Sequence, residues 1–431
     1  MIEIVNVLDV NGQPLMPTKR LGKVRHLLNS NKAKVVKGCP FTIQLQYKST
    51  TYTQPITLGV DAGSKTIGLS ASTEIKEVYS SEVILRNDIV DLLSTRRENR
   101  RTRRSHKTRY RAPRFSNRRS SKKEGWIAPS IRNKIDAHIK AIDDIVSILP
   151  LSNIIIETAS FDIQKIKAIQ NGFDIPEGVD YQNGEQKDFW NVREYVLWRD
   201  GHECQCCKNK KSKILNVHHI ESRKTGGNAP SNLITLCDVC HDDYHKGKIK
   251  LNLKKHVSYK DAAFMSIMRW NFYNAVKDKY ESTIKVSSTF GYITKNIRIE
   301  NNLPKGHRID ALCIAGHPNV ERLKTYLLQK KRRRHNRQIH KMKILKGNKR
   351  PLNQSSFEVK GYRLFDKVKF ENKEYYIWGR RTSGSFLLKD LENNKKDGVS
   401  YKKLKLKEKA KGTLKQILEN TERSQGFSSH D

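Results

Sequence analysis

The sequence predicts an α/β chain of several domains, and three observations predict it. Short apolar strands at residues 56–60, 66–71 and 78–85 precede an amphipathic helix, and the all-apolar run Ile154-Ile155-Ile156 follows it, as a buried central strand would. Two Cys-x-x-Cys pairs, Cys204 with Cys207 and Cys237 with Cys240, mark a small metal-stapled module in mid-chain. From 357 to 405 strand and turn alternate around Gly361, Asp366, Gly379 and Gly384, the pattern of a small β-barrel. A length of 431 residues suggests two to four domains.

Charge narrows the class of partner. Lysine and arginine number 84 against 44 aspartates and glutamates, a formal net charge of +40. That self-repulsion calls for a polyanion, and nucleic acid is the obvious one. A membrane is not an expected partner, because no uninterrupted apolar stretch is long enough to span one. Met1 leads straight into Ile2-Glu3-Ile4-Val5, with no secretory signal between. Of the seven cysteines four sit as two Cys-x-x-Cys pairs, which in such a chain read as zinc ligands rather than disulfides, and the expected compartment is the reducing cytoplasm or nucleoid. The hydrophobic share of 36% supports several small cores.

Along the chain, residues 1–52 read as an N-terminal module. It has a strand at 2–8, a turn at Asn11-Gly12, the run Pro14-Leu15-Met16-Pro17, a helix at 21–29, and a strand pair near 34–36 and 42–46. Residues 53–85 form a three-strand meander with Gly63-Ser64 in its first turn. Residues 126–165 hold a helix capped by Ser130. Ile131, Ile135, Ile139, Ile142, Ile145, Val146 and Leu149 form its apolar stripe, Pro150 stops it, and the buried strand ending at Glu157 follows. Residues 166–188 are polar with glycines, a linker, and 189–250 carry the paired cysteines and most histidines. Residues 251–328 return to helices over 260–280, a strand at 284–287 and a helix from about 307. A second basic run occupies 329–355, the barrel 356–423, and a disordered tail 424–431. No internal repeat is present.

Residues 86–125 change character. Between 96 and 119 stand Arg96, Arg97, Arg100, Arg101, Arg103, Arg104, Lys107, Arg109, Arg111, Arg114, Arg118 and Arg119, opposed only by Glu98. A charge run is usually a solvated face. This density reads instead as a basic helix or arm, broken near Pro113, that contacts nucleic-acid backbone. Arg332, Arg333 and Arg334 in the second basic run extend the same expectation.

The cysteine spacing alone fits a purely structural zinc ribbon, with two knuckles holding tetrahedral Zn²⁺ and Cys206 left as the spare thiol. The histidines add more. Val217-His218-His219-Ile220 lies in a strand-like stretch, Gly226-Gly227 and Asn232-Leu233-Ile234 follow, and His241 and His245 stand four apart, on one helix face, after the second pair. This order resembles the HNH (ββα-metal) nuclease family. The resemblance implies that His219 is the general base, and that Asn232 ties the loop and orients it. It also implies that His218, His241 and His245 hold one divalent ion, Mg²⁺. In many relatives an aspartate stands where this chain has His218.

Three acidic positions form a second set. Asp61 ends the apolar strand Leu58-Gly59-Val60, Glu157 ends another, and His307-Arg308-Ile309-Asp310 opens a helix. Together they resemble the split motifs of the RuvC-like branch of the RNase H fold. By that resemblance Asp61, Glu157 and Asp310 ligate two Mg²⁺ ions, and His307 is the catalytic histidine. The zinc module falls between the second and third motifs, as an insertion. Pro14-Leu15-Met16-Pro17, a split RuvC-like core, an arginine-rich helix after the first motif and an HNH insertion together resemble the IscB family, transposon-encoded relatives of the large CRISPR effector nucleases. Ala62 departs from the proline common there. Membership implies RNA-guided, metal-dependent DNA cutting by a monomeric protein in a ribonucleoprotein. The partners implied are a long structured non-coding guide RNA and a double-stranded DNA target with a short flanking motif. The implied C-terminal domain is an SH3-like small β-barrel, carrying Gly361-Tyr362-Arg363-Leu364-Phe365-Asp366-Lys367-Val368 and Gly379-Arg380-Arg381, that reads this motif.

Two other classes fit part of the sequence. A protein-guided HNH homing or restriction endonuclease needs no RNA, and the two basic runs exceed what one duplex requires. A non-enzymatic zinc-ribbon binding protein leaves Asp61, Glu157, Asp310 and His219 without a purpose.

Overall fold

The computed structural model describes residues 3–105, 127, 129–158, 189, 191–221, 230–249, 260–333, 340 and 344–420. The chain divides into two compact units, one of Met1–Ser120, Arg132–Ser160 and Asn271–Asp431, the other of Ser121–Ile131 and Phe161–Trp270. The linker at 166–188, the tail and the side chains of Arg103, Arg104, Arg109, Arg111 and Arg334 lie outside what is described.

The chain opens with β1 (Val5–Leu8), β2 (Pro14–Thr18), α1 (Leu21–Asn29), β3 (Ala33–Gly38) and β4 (Phe41–Leu45). Their sheet has the order β2-β1-β4-β3, with β1 and β4 parallel. The Asn11-Gly12 turn works as its residue types require. Asp9 Oδ1 accepts from the Asn11 and Gln13 amides, and Gly12 takes φ +84° without a side-chain clash. Val5, Leu15, Val24, Ala33, Ile43 and Leu45 fill the core.

Next come β5 (Thr57–Ala62), β6 (Thr66–Ser72), β7 (Glu77–Ile84), α2 (Ile89–Ser105), α3 (Pro129–Val146) and β8 (Asn153–Glu157). The helix α3 starts at Pro129, so Ser130 lies inside its first turn and is not its cap. Proline suits that first position because its missing N–H has no helical partner there. Buried Ile135, Ile142 and Ile145 bear out the apolar stripe.

The second unit contributes α4 (Val192–Arg199), β9 (Leu215–His219), β10 (Leu233–Cys237) and α5 (Asp238–His245). The first unit resumes at Asn271, within α6 (Lys260–Tyr280), and continues with β11 (Lys285–Thr289), α7 (Gly291–Glu300), α8 (His307–Ile314) and β12 (Thr325–Lys331). Then come β13 (Glu358–Val359), β14 (Tyr362–Arg363), β15 (Lys367–Phe370), β16 (Lys373–Arg380), β17 (Ser385–Lys389), β18 (Lys395–Ser400), β19 (Lys405–Glu408) and β20 (Thr413–Glu419).

A seven-stranded sheet, β11-β8-β5-β6-β7-β12-β20, organises the first unit. The antiparallel meander β5-β6-β7 gains parallel neighbours on both sides, β8 and then β11 beyond β5, and β12 beyond β7. Every residue of β5 but Asp61 is buried, which is why the strand reads as an unbroken apolar run. α8 packs directly on β5 and β6. A Cβ on Gly59 would overlap the Ala311 carbonyl, and one on Gly68 the His307 carbonyl, so two glycines set how closely this helix lies.

The strand-and-turn stretch forms a five-stranded antiparallel sheet, β18-β17-β16-β15-β19, over fully buried Val368, Ile377, Phe386 and Leu388. β20 leaves it and pairs along its whole length with β12, from Thr325 opposite Glu419 to Lys331 opposite Thr413. Reading all of 356–423 as one barrel does not anticipate that return. Among the described residues no helix is long and apolar enough to cross a membrane.

Candidate functional site

In the first unit the fold brings two of the predicted acidic residues, Asp61 and Glu157, to the carboxyl ends of neighbouring parallel strands. Val60 pairs with Ile156, so the next residues along, Asp61 and Glu157, stand side by side at the ends of β5 and β8. α8 crosses above them and starts with His307, whose Nδ1 lies 2.6 Å from Asp61 Oδ2. Asp310 follows one turn later on the same helix. The electrostatics show the crowding. Burial first, then the Asp61 and Asp310 charges, push the Glu157 carboxyl up to about 7. Burial and Asp61 raise Asp310 as well, and the hydrogen bond to Asp61 raises His307. Carboxylates that repel in this way are relieved by cations, and their hard oxygen donors suit Mg²⁺.

Several supporting residues carry no motif and were missed in the sequence. Arg298 of α7 pairs with Asp310 at 3.1 Å, and buried Thr294, one turn earlier, holds the Glu157 carboxyl below where burial alone would put it. A Cβ on Gly291 would stand 2.9 Å from Glu157 Oε1, so the start of α7 lies directly against that carboxylate and a larger residue there would push it aside. His138, fully buried, has Nδ1 2.7 Å from the Lys134 carbonyl and Nε2 3.2 Å from the Gly63 carbonyl, under the turn after Asp61. Burial drives its pKa down to about 4, while the two carbonyls facing its nitrogens act in the opposite direction. A histidine interrupting the isoleucine stripe of α3 was the only signal for it.

In the second unit the four paired cysteines converge, with all four sulfurs within 4.8 Å of one another. Cys207 Sγ and Cys237 Sγ are 3.6 Å apart. Within each knuckle the later cysteine's amide points at the earlier sulfur, at 3.5 Å from Cys207 to Cys204 and 3.4 Å from Cys240 to Cys237. Cys206 is exposed and takes no part. Four converging sulfurs, three of them buried and Cys207 half-buried, fit Zn²⁺.

Beside it β9 and β10 form an antiparallel hairpin that sets His219 opposite Leu233 and His218 opposite Ile234. Ring nitrogens of His218, His241 and His245 also fall within 4.8 Å of one another, and His241 Nε2 lies 3.3 Å from His245 Nε2. His218 is buried, and its Nε2 has no hydrogen-bond partner. Burial, then the imidazoles of His241 and His245, lower its pKa to about 4. An orphaned buried nitrogen aimed at two more imidazoles fits a metal ion. The donor chemistry does not fit the expected Mg²⁺ well, since neutral nitrogen suits Zn²⁺, Ni²⁺ or Co²⁺ and Mg²⁺ asks for oxygen. Asn232, almost fully buried, ties the loop, for its Oδ1 accepts from the Glu221 amide at 2.8 Å and its Nδ2 donates to the Glu221 carbonyl at 3.0 Å.

Residues 204–247 match the family described as HNH endonuclease, and residues 5–184 match the family described as RRXRR protein. The chain carries an RRXRR domain and an HNH endonuclease domain. Within the RRXRR match, Arg100-Arg101-Thr102-Arg103-Arg104 has the spacing of that name, on α2, where Arg96, Arg97, Arg100 and Arg101 are exposed. The HNH domain, a nuclease module, holds both the thiolate and the imidazole clusters. A 57-residue stretch is 37% identical to Anaredoxin of Nostoc sp., covering 13% of this chain and 74% of that protein, and over that stretch the two belong to one family. Among solved structures, Streptococcus thermophilus Cas9 in complex with the GGAA PAM matches with a TM-score of 0.30 at 14% identity, over 52% of this chain and 31% of that one. The complex with the AGGA PAM gives a TM-score of 0.31 at 13% identity, over 52% and 32%. The chain thus spans about a third of the length of those Cas9 chains.

Proposed function

We propose that this protein is an RNA-guided DNA endonuclease of the IscB kind, with an HNH centre and a RuvC-like, RNase H-type centre that each cut one strand. The observation that carries this reading is the connectivity of the central sheet. β8 and β11 are parallel neighbours, yet the whole HNH domain lies between them in sequence, so one nuclease module is inserted into a sheet that assembles a second acidic centre. Asp61, Glu157 and Asp310 would hold two Mg²⁺, and His218, His241 and His245 one further divalent ion. Bound there, the metals supply charge stabilisation to the attacked phosphate and the leaving oxygen. His219 takes the proton of the attacking water, and Asn232 holds the loop that follows it. His307 shares a proton with Asp61 and can pass one at the carboxylate centre. Cys204, Cys207, Cys237 and Cys240 would hold Zn²⁺, which would tie the β9–β10 hairpin to α5. A long structured guide RNA accounts for the +40 charge and the exposed arginines of α2, since protein reads such an RNA and its hybrid with DNA through the backbone. Arg332 and Arg333 join this surface, and the five-stranded sheet with Arg380 and Arg381 reads the motif flanking the target.

The test has two arms. Sequencing the nucleic acid that co-purifies with the protein should return one structured RNA. With that RNA, a matching supercoiled target and divalent metal, Asp61→Ala and His219→Ala should each nick a different labelled strand, His219→Ala sparing the guide-paired strand. Cutting that needs no RNA would establish the protein-guided alternative instead.

A further inference from the structure

An exposed aromatic pair stands at the rim of the carboxylate centre. Phe290 and Tyr292 face each other nearly parallel, with ring centroids 6.0 Å apart and planes 11° apart, and they are 44% and 58% exposed. Single exposed rings are common, but two stacked in water leave apolar faces that a flat ligand would cover. Their location gives them meaning. The residue between them is Gly291, whose backbone lies directly against the Glu157 carboxylate, since a Cβ there would stand 2.9 Å from Oε1. Along the same helix Arg298 pairs with Asp310 at 3.1 Å, so one face of α7, from Gly291 to Arg298, lies against the acidic groups. Tyr292 and exposed Lys295, three residues apart, are neighbours on the helix surface, which places a cation one turn beyond the ring.

We propose that Phe290 and Tyr292 form a stacking step for unpaired bases of the DNA strand cut at the carboxylate centre, with Lys295 meeting a phosphate of that strand. This rests on the reading of Asp61, Glu157 and Asp310 as a nuclease centre. Rings accept any base by its π face, so the step selects for an unwound strand without selecting sequence. A paired duplex keeps its bases stacked on one another and cannot offer them. The step therefore makes strand separation a condition of cutting here, and holds the nucleotide beside the scissile phosphate so that this phosphate meets the three carboxylates.

Full-length protein carrying Asp61→Ala and His219→Ala, which binds without cutting, is mixed with single-stranded DNA bearing 2-aminopurine at successive positions. Stacking quenches that base, so one or two adjacent positions should lose fluorescence. Phe290→Ala with Tyr292→Ala should restore it, Phe290→Leu with Tyr292→Leu should restore most of it, and Tyr292→Phe should leave it quenched. In the His219→Ala background, the alanine pair should raise KM by roughly five- to a hundred-fold, and an abasic nucleotide at the quenched position should raise it as much with no further loss when both are combined. Absence of any quenched position, or quenching that survives both the alanine and the leucine pairs, overturns the proposal. The fluorescence arm needs no cutting. Should Asp61→Ala fail to stop cutting while quenching follows the aromatic residues, the nuclease reading fails and the stacking step stands.

Discussion

Asp61 Oδ2 lies 2.6 Å from His307 Nδ1, joining the end of β5 to the first residue of α8 across a sequence separation of 246. The contact is possible because Gly68 lets the His307 backbone rest on β6. It also raises the histidine's pKa, so the ring is more often protonated near neutrality than a free imidazole. If His307 moves a proton during cutting, His307→Ala in the His219→Ala background should slow nicking by about 10²- to 10⁴-fold. DNA binding should be kept, because the acidic residues remain. An unchanged single-turnover rate would reduce His307 to a structural tether for Asp61.

How much of this was legible depends on how local each feature is. The thiolate and imidazole clusters are written in spacings of three and four residues, and the hairpin and α5 place them as those spacings imply. Asp61 and Glu157 were visible because a charge closing an apolar run is conspicuous, and Asp310 only through the resemblance of His307-Arg308-Ile309-Asp310 to a RuvC-like motif, although the sheet order alone brings Asp61 beside Glu157. Arg298, Thr294 and Gly291 were not visible, since each matters through a contact made when α7 packs near the strand ends. The same holds for β20. A strand of half-buried residues looks alike whether it extends the local sheet or crosses to β12, and only the pairing decides.

The thiolate cluster should govern the HNH domain alone. Structural Zn²⁺ in modules this small supplies about 10–16 kcal/mol of apparent binding free energy, which is folding free energy for the segment it staples. Cys204→Ser or Cys240→Ser should therefore lose the bound zinc and His219-dependent cutting, while nicking that needs Asp61 continues. Elemental analysis with the strand-labelled gel checks both. Full zinc content in either variant would show that the four sulfurs are not the site.

Glu77 offers a pH signature inside the core. Its carboxylate accepts from Ser70 Oγ at 2.7 Å and from the Leu323 amide at 3.1 Å, and burial raises its pKa. A raised folded value means the fold prefers the protonated acid. Its stabilising contribution is thus full below the ordinary glutamate range and is lost as pH rises through the folded value. Glu77→Gln can keep both hydrogen bonds, with its oxygen toward Leu323 and its amide toward Ser70, and it cannot ionise. The variant should match the parent at about pH 4 and exceed it at about pH 8 in urea denaturation. A constant offset at both values would assign the effect to packing and not to charge.

The imidazole set makes a claim about metal identity. His218, His241 and His245 present nitrogen only, and His218 stays neutral because burial and its two neighbours hold its pKa near 4. Neutral imidazole binds Zn²⁺, Ni²⁺ and Co²⁺ well, whereas Mg²⁺ keeps its waters and prefers carboxylate. In the Asp61→Ala background, chelator-treated protein should regain cutting at Co²⁺ or Ni²⁺ concentrations far below the Mg²⁺ needed. His218→Asp should narrow or reverse that order by supplying one hard oxygen, and His218→Ala should weaken every metal. Zinc content at the cysteines must be unchanged in all three proteins, which separates loss of the catalytic ion from collapse of the domain. Equal dependence on Mg²⁺ and Co²⁺ in the parent and in His218→Asp would mean that the three rings do not hold the metal together.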